Sequence, residues 1–357
     1  MMGTPATGRA ARRTISGDFV EAVRYLESEG WTDGLPVIPP TEPLVAEMLS
    51  HTKRAPAEVL GQMEPLRGTV TVEKVAANAV MAGCLPEYFP VVLASVRAAL
   101  QPEFHVGSTA CTTGGSAPVI IVNGPIARRL GISGGTACFG GNIKPNATIG
   151  RALRLVMRNL GGAKPDGMEK STQAWPGKIV GCCFAENEAR SPWEPLHVAR
   201  GYAPETSTVT VVAVRGIYPV TEGTQTTGQG VVETVVAAMR YLGTPIFHQM
   251  RNRIPVVVAL CPEHAQEIGR AGFGRRQLCE LLYAEVRLPV RELIGRVYYG
   301  TRAWPDWIDE SDPDAQVPIV ATPDDFWLVV AGGDGRHSAW MPAWGVCRGA
   351  TEVIEES

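Results

Sequence analysis

Residues 185 to 197, AENEARSPWEPLH, bring Glu186, Asn187, Glu188, Trp193, Glu194 and His197 within thirteen positions. Carboxylates beside an imidazole are the groups of general acid–base chemistry, and Asn187 is suited to hold a carbonyl or carboxylate oxygen. The run before them, KIVGCCF, reads as an apolar strand. Glu186, Asn187 and Glu188 should then project at its carboxyl end, where open α/β sheets keep their sites. The competing reading is an acidic loop, capped by Trp193, that only crosses the surface. Glu194 and His197 have the Glu-x-x-His spacing of di-iron bundles, but Pro195 lies between them and no second copy exists. A divalent metal on these groups stays open, since no ligand spacing here is diagnostic.

Three further groups have chemical types worth placing. In VVAGGDGRHS, Gly332, Gly333 and Gly335 form a tight turn whose N–H groups suit an anion, with His337 and Ser338 beside it as acid and hydrogen-bond donor. The spacing is not G-x-G-x-x-G, so nicotinamide binding is not favoured. The loops STACTTGGSAP and SGGTACFGGNIKPNATIG and the strand VIIVNGP between them offer Ser108, Thr112, Thr113, Asn123, Asn142, Lys144 and Asn146, either as ligand contacts or as turn sequence. Cys84 and Cys261 each precede a proline-started helix, whose dipole would lower a thiol pKa, and Cys261 has His264 in the first turn. Both are candidate nucleophiles, set against the common role of cysteine as a small buried hydrophobe.

These groups need elements to hold them. Segments from Leu35, Ala117 and Ile254 each read as a short strand, a proline and a helix, and one from Val317 opens alike but returns to a strand. The expected fold is α/β, with a mixed sheet built from such units and open to internal repetition. NATIGRALRLVMRNL should be a helix with Ile149, Leu153, Val156, Met157 and Leu160 inward and Arg151, Arg154 and Arg158 on a solvated stripe. Asp33, in GWTDGLPVIPP, is expected to serve packing. The expected divisions are a disordered leader at 1–20, an N-terminal α/β region at 21–203 with the site loops, and a C-terminal α/β region at 204–357 with the GGDG turn. A long loop from Tyr298 to Pro318 has the make-up of a lid or a contact surface.

The stretches WTDGLPVIPPT, VMAGCLPEY, NATIGRALRL and AENEARSPWEPLHV resemble an uncharacterised bacterial protein family that carries them in this order, over most of residues 30 to 340. The resemblance implies one coherent family and brings no activity, cofactor or catalytic residue with it.

With 357 residues, 45% of them hydrophobic, the chain can bury a large core. A net charge of -3 and scattered basic residues argue against a nucleic-acid partner, and no apolar run is long enough to span a membrane. Eight cysteines without a C-x-x-C pair fit reduced thiols in a cytoplasmic protein. The reading that follows is an enzyme acting on a small polar, anionic metabolite by lyase or hydrolase chemistry. Glu186, Glu188 and His197 would be its acid and base groups. One alternative is a thiol-dependent reductase or carbon–sulfur enzyme with a redox partner, using Cys84, Cys111, Cys182 or Cys183. Another is a non-enzymatic subunit of an assembly. A homo-oligomer or protein partner is left open.

Overall fold

The computed structural model describes residues 10–140, 142–165, 167–240, 252–296 and 306–356. A hairpin of β1 (Val59–Met63) and β2 (Gly68–Thr71) precedes the main strands. These are β3 (Ala117–Asn123), β4 (Cys182–Ala185), β5 (Thr208–Val214), β6 (Tyr218–Thr221), β7 (Val256–Leu260), β8 (Arg287–Pro289), β9 (Gln316–Pro318), β10 (Phe326–Val330), β11 (His337–Pro342) and β12 (Ala350–Val353). β8 and β9 form a second small pair, and the other eight build two four-stranded sheets, β12-β5-β3-β4 and β10-β7-β11-β6.

The sheets stack because the central strands β3, β5 and β7 are buried at every position and mostly apolar. Val257, Ala259, Trp327 and Val329 join the core that contains both faces of β3 and β5, while Val256, Val258, Leu260, Phe326, Leu328 and Val330 turn to a second core. Alternation along a strand sends successive side chains to opposite faces, so the second sheet is buried on both sides. Helices Phe89–Leu100 and Lys144–Asn159 cover the first sheet, and helices Gly228–Met239, Pro262–Arg270 and Arg275–Glu285 cover the second. The fold is α/β, in layers of helix, sheet, sheet and helix.

The two sheets repeat one plan. β3 is parallel to β4 and antiparallel to β5, as β7 is parallel to β10 and antiparallel to β11. The fourth strands are exchanged: β6 follows β5 in the chain but pairs with β11, and β12 follows β11 but pairs with β5. Val214 and Ala343, at the two crossing points, bridge each other. A boundary at 203 and 204 therefore divides neither sheet from the other, because the later region supplies two strands of the first sheet.

Several expectations change here. Of the four similar segments, those from Ala117 and Ile254 are strand, proline and helix; that from Leu35 enters helix Glu42–Leu49 without a strand. In KIVGCCF, Gly177–Val180 is a helical turn and the strand begins only at Cys182. The arginine stripe is not solvated. Arg151 grips Asp33 with two 2.8 Å bonds, and Arg154 is 5% exposed and donates to the Lys178 carbonyl at 2.8 Å. Burial pulls the Arg154 pKa down to about 10. In the leader, the Ala10 amide and the Arg12 guanidinium bind Glu73, so the segment is held from Ala10 onward. Of the loop expected from Tyr298 to Pro318, residues 298–305 lie outside the described residues, and the chain then runs through turns into β9.

Candidate functional site

β3 and β4 end side by side, and their parallel pairing brings Asn123 next to Glu186 and Glu188. Asn123 Nδ2 donates to Glu186 Oε2 at 2.7 Å and to Glu188 Oε1 at 3.0 Å, and the Gly124 amide donates to Glu188 Oε1 at 2.8 Å. Glu186 Oε2 also accepts from the Leu196 amide at 2.8 Å, so the stretch after β4 loops back over its own carboxylate. His197 is fully buried, with Nε2 3.3 Å from the Pro204 carbonyl and Nδ1 3.9 Å from Glu188 Oε1.

This cluster holds polar atoms with no partner among the described residues: Glu186 Oε1, Asn123 Oδ1, His197 Nδ1 and, on the neighbouring strand, Thr208 Oγ1. Burial raises the Glu186 pKa to about 7, against the pull of Arg275, the Leu196 amide and Asn123. Its unbonded oxygen faces Arg275, whose Nη2 is 3.8 Å away. Arg275 is fixed by donating to the carbonyls of Leu328, at 2.7 Å, and Glu194, at 2.5 Å. Its Nε lies 3.3 Å from Glu194 Oε1 without the alignment of a hydrogen bond.

Arg275 also lines a cleft of about 1070 Å³ at the side of the two sheets, where edge strands β10 and β12 come together. Leu196, Ala199 and Arg200 line it too. The stretch AENEARSPWEPLH thus begins at the buried carboxylates and ends at the cleft. On the way the Asn187 amide donates to the Val330 carbonyl at 2.7 Å, joining the two sheets, and Trp193 Nε1 anchors to the Phe273 carbonyl.

Elsewhere the sequence candidates separate. The GGDG turn is already filled from within: the amides of Gly335 and Arg336 hold the Glu263 carboxylate at 2.6 and 2.8 Å, and the Gly332 amide donates to Gly134. Gly333 packs against Thr136 too closely for a side chain. His337 is exposed and bonds Thr221. Asn146 is a clamp, bonding the Ser133 amide and carbonyl and the Cys138 carbonyl. Lys144 starts its helix beside Asn142, while Thr112 caps the Gly114 amide and Thr113 binds Thr172. Ser108 is exposed on the helix Val106–Cys111.

The thiols also divide. Cys84 has no depressed pKa, because burial pushes it up to about 12, and it does the same for Cys182; Cys183 is raised well above its ordinary value. Cys261 differs. Burial pushes it up, but hydrogen bonding and charge from His264, with help from Ser338, outweigh that and hold it low. Ser338 Oγ sits 3.0 Å from the Cys261 amide and 2.7 Å from His264 Nδ1, so these three do form one group, although Cys261 and His264 are fully buried.

Among the described residues no group of three or more His, Cys, Asp or Glu side chains is placed to hold a metal ion, and no helix is long and apolar enough to cross a membrane. Arg275 and Arg200 were missed in the sequence because each stands in a segment with no motif and gains its neighbours only through the fold. No model of a known protein family matches the sequence, and no curated protein matches it.

Proposed function

We propose that the chain is an enzyme that moves a proton on a small anionic metabolite, in a reaction of lyase or hydrolase type. One observation carries this reading. Glu186 is a buried carboxyl with its pKa near 7 and one unbonded oxygen turned toward Arg275, a wall of the cleft of about 1070 Å³. A group poised near neutrality both gives and takes a proton, which is what a general acid or base needs. Asn123 and the Leu196 amide hold the other oxygen and fix the carboxyl plane, Glu188 accepts from Asn123 with His197 Nδ1 3.9 Å from it, and Arg275 offers positive charge to a substrate anion. Eight unpaired thiols suit a cytoplasmic setting.

The test is a panel of small oxo and hydroxy acids incubated with the protein in heavy water, followed by proton NMR. Consumption of one acid, or deuterium entry beside its carbonyl, is expected, with a loss of 100-fold or more in Glu186→Gln, the order of a missing acid–base group. An unchanged rate in that variant would overturn the assignment.

A second reading is favoured by the low thiol of Cys261 beside His264, the arrangement of an activated nucleophile. Alkylation by iodoacetamide at pH 6 to 8, read by mass spectrometry, separates the two. Cys261 reacting ahead of the other seven would support thiol chemistry, and uniform inertness would remove it.

A further inference from the structure

The cleft beside Glu186 contains a second arginine whose charge no acid takes up. Arg200 follows the Leu196–Ala199 turn, and its guanidinium lies over the Trp327 ring, 4.4 Å from the ring centre. Its Nε donates to Thr351 Oγ1 at 2.9 Å, which fixes the plane of the group. Among the described residues no carboxylate comes within ion-pair distance of it. The other four cleft arginines each have a carboxylate within ion-pair distance: Arg253 has Asp325 at 3.1 Å, Arg276 has Glu280 at 2.8 Å, Arg348 has Glu103 at 3.9 Å, and Arg275 has Glu194 at 3.3 Å and Glu186 at 3.8 Å. Although the Arg200 residue as a whole is exposed, burial around its charged head is enough to lower its pKa.

Stacking on an aromatic face and bonding through Nε leave one part of a guanidinium free, the in-plane edge made by its two terminal nitrogens. That edge matches a carboxylate with two parallel hydrogen bonds. The surrounding charge sets the size of the anion. Glu103, Glu194, Glu280, Asp324, Asp325 and Glu352 share the lining with five arginines, so a doubly charged phosphate would meet repulsion that a single carboxylate meets less. We propose that Arg200, stacked on Trp327, is the anchor for a carboxylate of the substrate, so that the cleft selects carboxylic acids. The proposal rests on the reading of Glu186 as the proton-transfer group, with Arg275 lining the cleft alongside Arg200 and lying 3.8 Å from Glu186.

The experiment is isothermal titration of the full chain with acetate, malonate and succinate, and separately with inorganic phosphate, in a buffer free of other carboxylates. At least one carboxylate should bind, Arg200→Gln should weaken it tenfold or more, and Arg200→Lys should fail to restore it, because an ammonium has no bidentate edge. Thr351→Val, which keeps the charge but frees the plane, should fall between. Equal binding in Arg200→Gln, no binding of any carboxylate at tens of millimolar, or tighter binding of phosphate would each overturn the proposal. Glu186→Gln separates the two ideas: it should bind carboxylates like the parent while losing turnover. Binding that depends on Arg200 with turnover untouched in Glu186→Gln leaves the anchor standing and removes the acid; the reverse pattern does the opposite.

Discussion

Glu186 gives the chain a pH dependence whose sign can be worked out. Its pKa is about 7 in the folded protein and near 4.5 when unfolded. Below pH 4.5 both states keep the proton and the burial costs nothing. As the pH rises toward 7 the unfolded chain releases the proton first, so stability falls through that window and the loss is complete above it, about 3 kcal/mol at most. Glu186→Gln keeps an oxygen for the Leu196 and Asn123 donors and has no charge to bury. Urea unfolding between pH 5 and 8 should therefore show a decline in the parent that is flattened in the variant. A parent whose stability rises across this window would contradict the raised pKa. The same residue shows what a sequence reveals at this scale. The types and spacing in AENEARSPWEPLH bring out Glu186 only together with Glu188 and His197, and its free oxygen and its facing Arg275 depend on contacts across 89 positions of chain.

At the scale of elements, the helix Lys144–Asn159 was legible in its apolar face, since Ile149, Leu153, Val156 and Met157 are all buried at a 3.6-residue period. Its arginine face was not legible. What covers it comes from Asp33, far earlier, and Lys178, in a turn that apolar sequence made look like a strand. Asn146 carries the same lesson. A polar residue near the end of a glycine-rich stretch invites the reading of a ligand contact, yet its side chain makes three 2.9 Å bonds to the loop that lies over the ends of β4 and β10. Asn146→Ala should cost about 2–4 kcal/mol, from three buried hydrogen bonds whose loop partners lose them. It should also release the Ser133 amide to hydrogen exchange ahead of the helix. Protection of Ser133 unchanged by the substitution would mean that the loop is held by other contacts.

The whole molecule is interlocked by the exchange of β6 and β12, and that arrangement could not be read from local patterns. STVTVVAVRGIYPV looks like one strand region, whereas Arg215 to Ile217 carry the chain from one sheet to the other. The repeat between the segments at Ala117 and Ile254 was visible, because a buried parallel strand followed by proline leaves a strong local signature. The exchanged strands, only four residues each and unlike in sequence, leave none. With this design the ends of β4 and β10 are tied by the Asn187 bond to Val330, and the cleft opens between edge strands of different sheets. It follows that residues 1–203 cannot fold alone, since they lack β5 and β12 and would leave one side of β3 unpaired with its apolar faces bare. Expressed by itself, that fragment should show no cooperative urea transition. A cut at the exposed Ala203–Glu205 turn of the folded chain should instead leave two pieces that elute together, held by both sheets. A sharp transition in the isolated fragment would mean that the first region forms its own sheet and that the exchange is not what holds the molecule together.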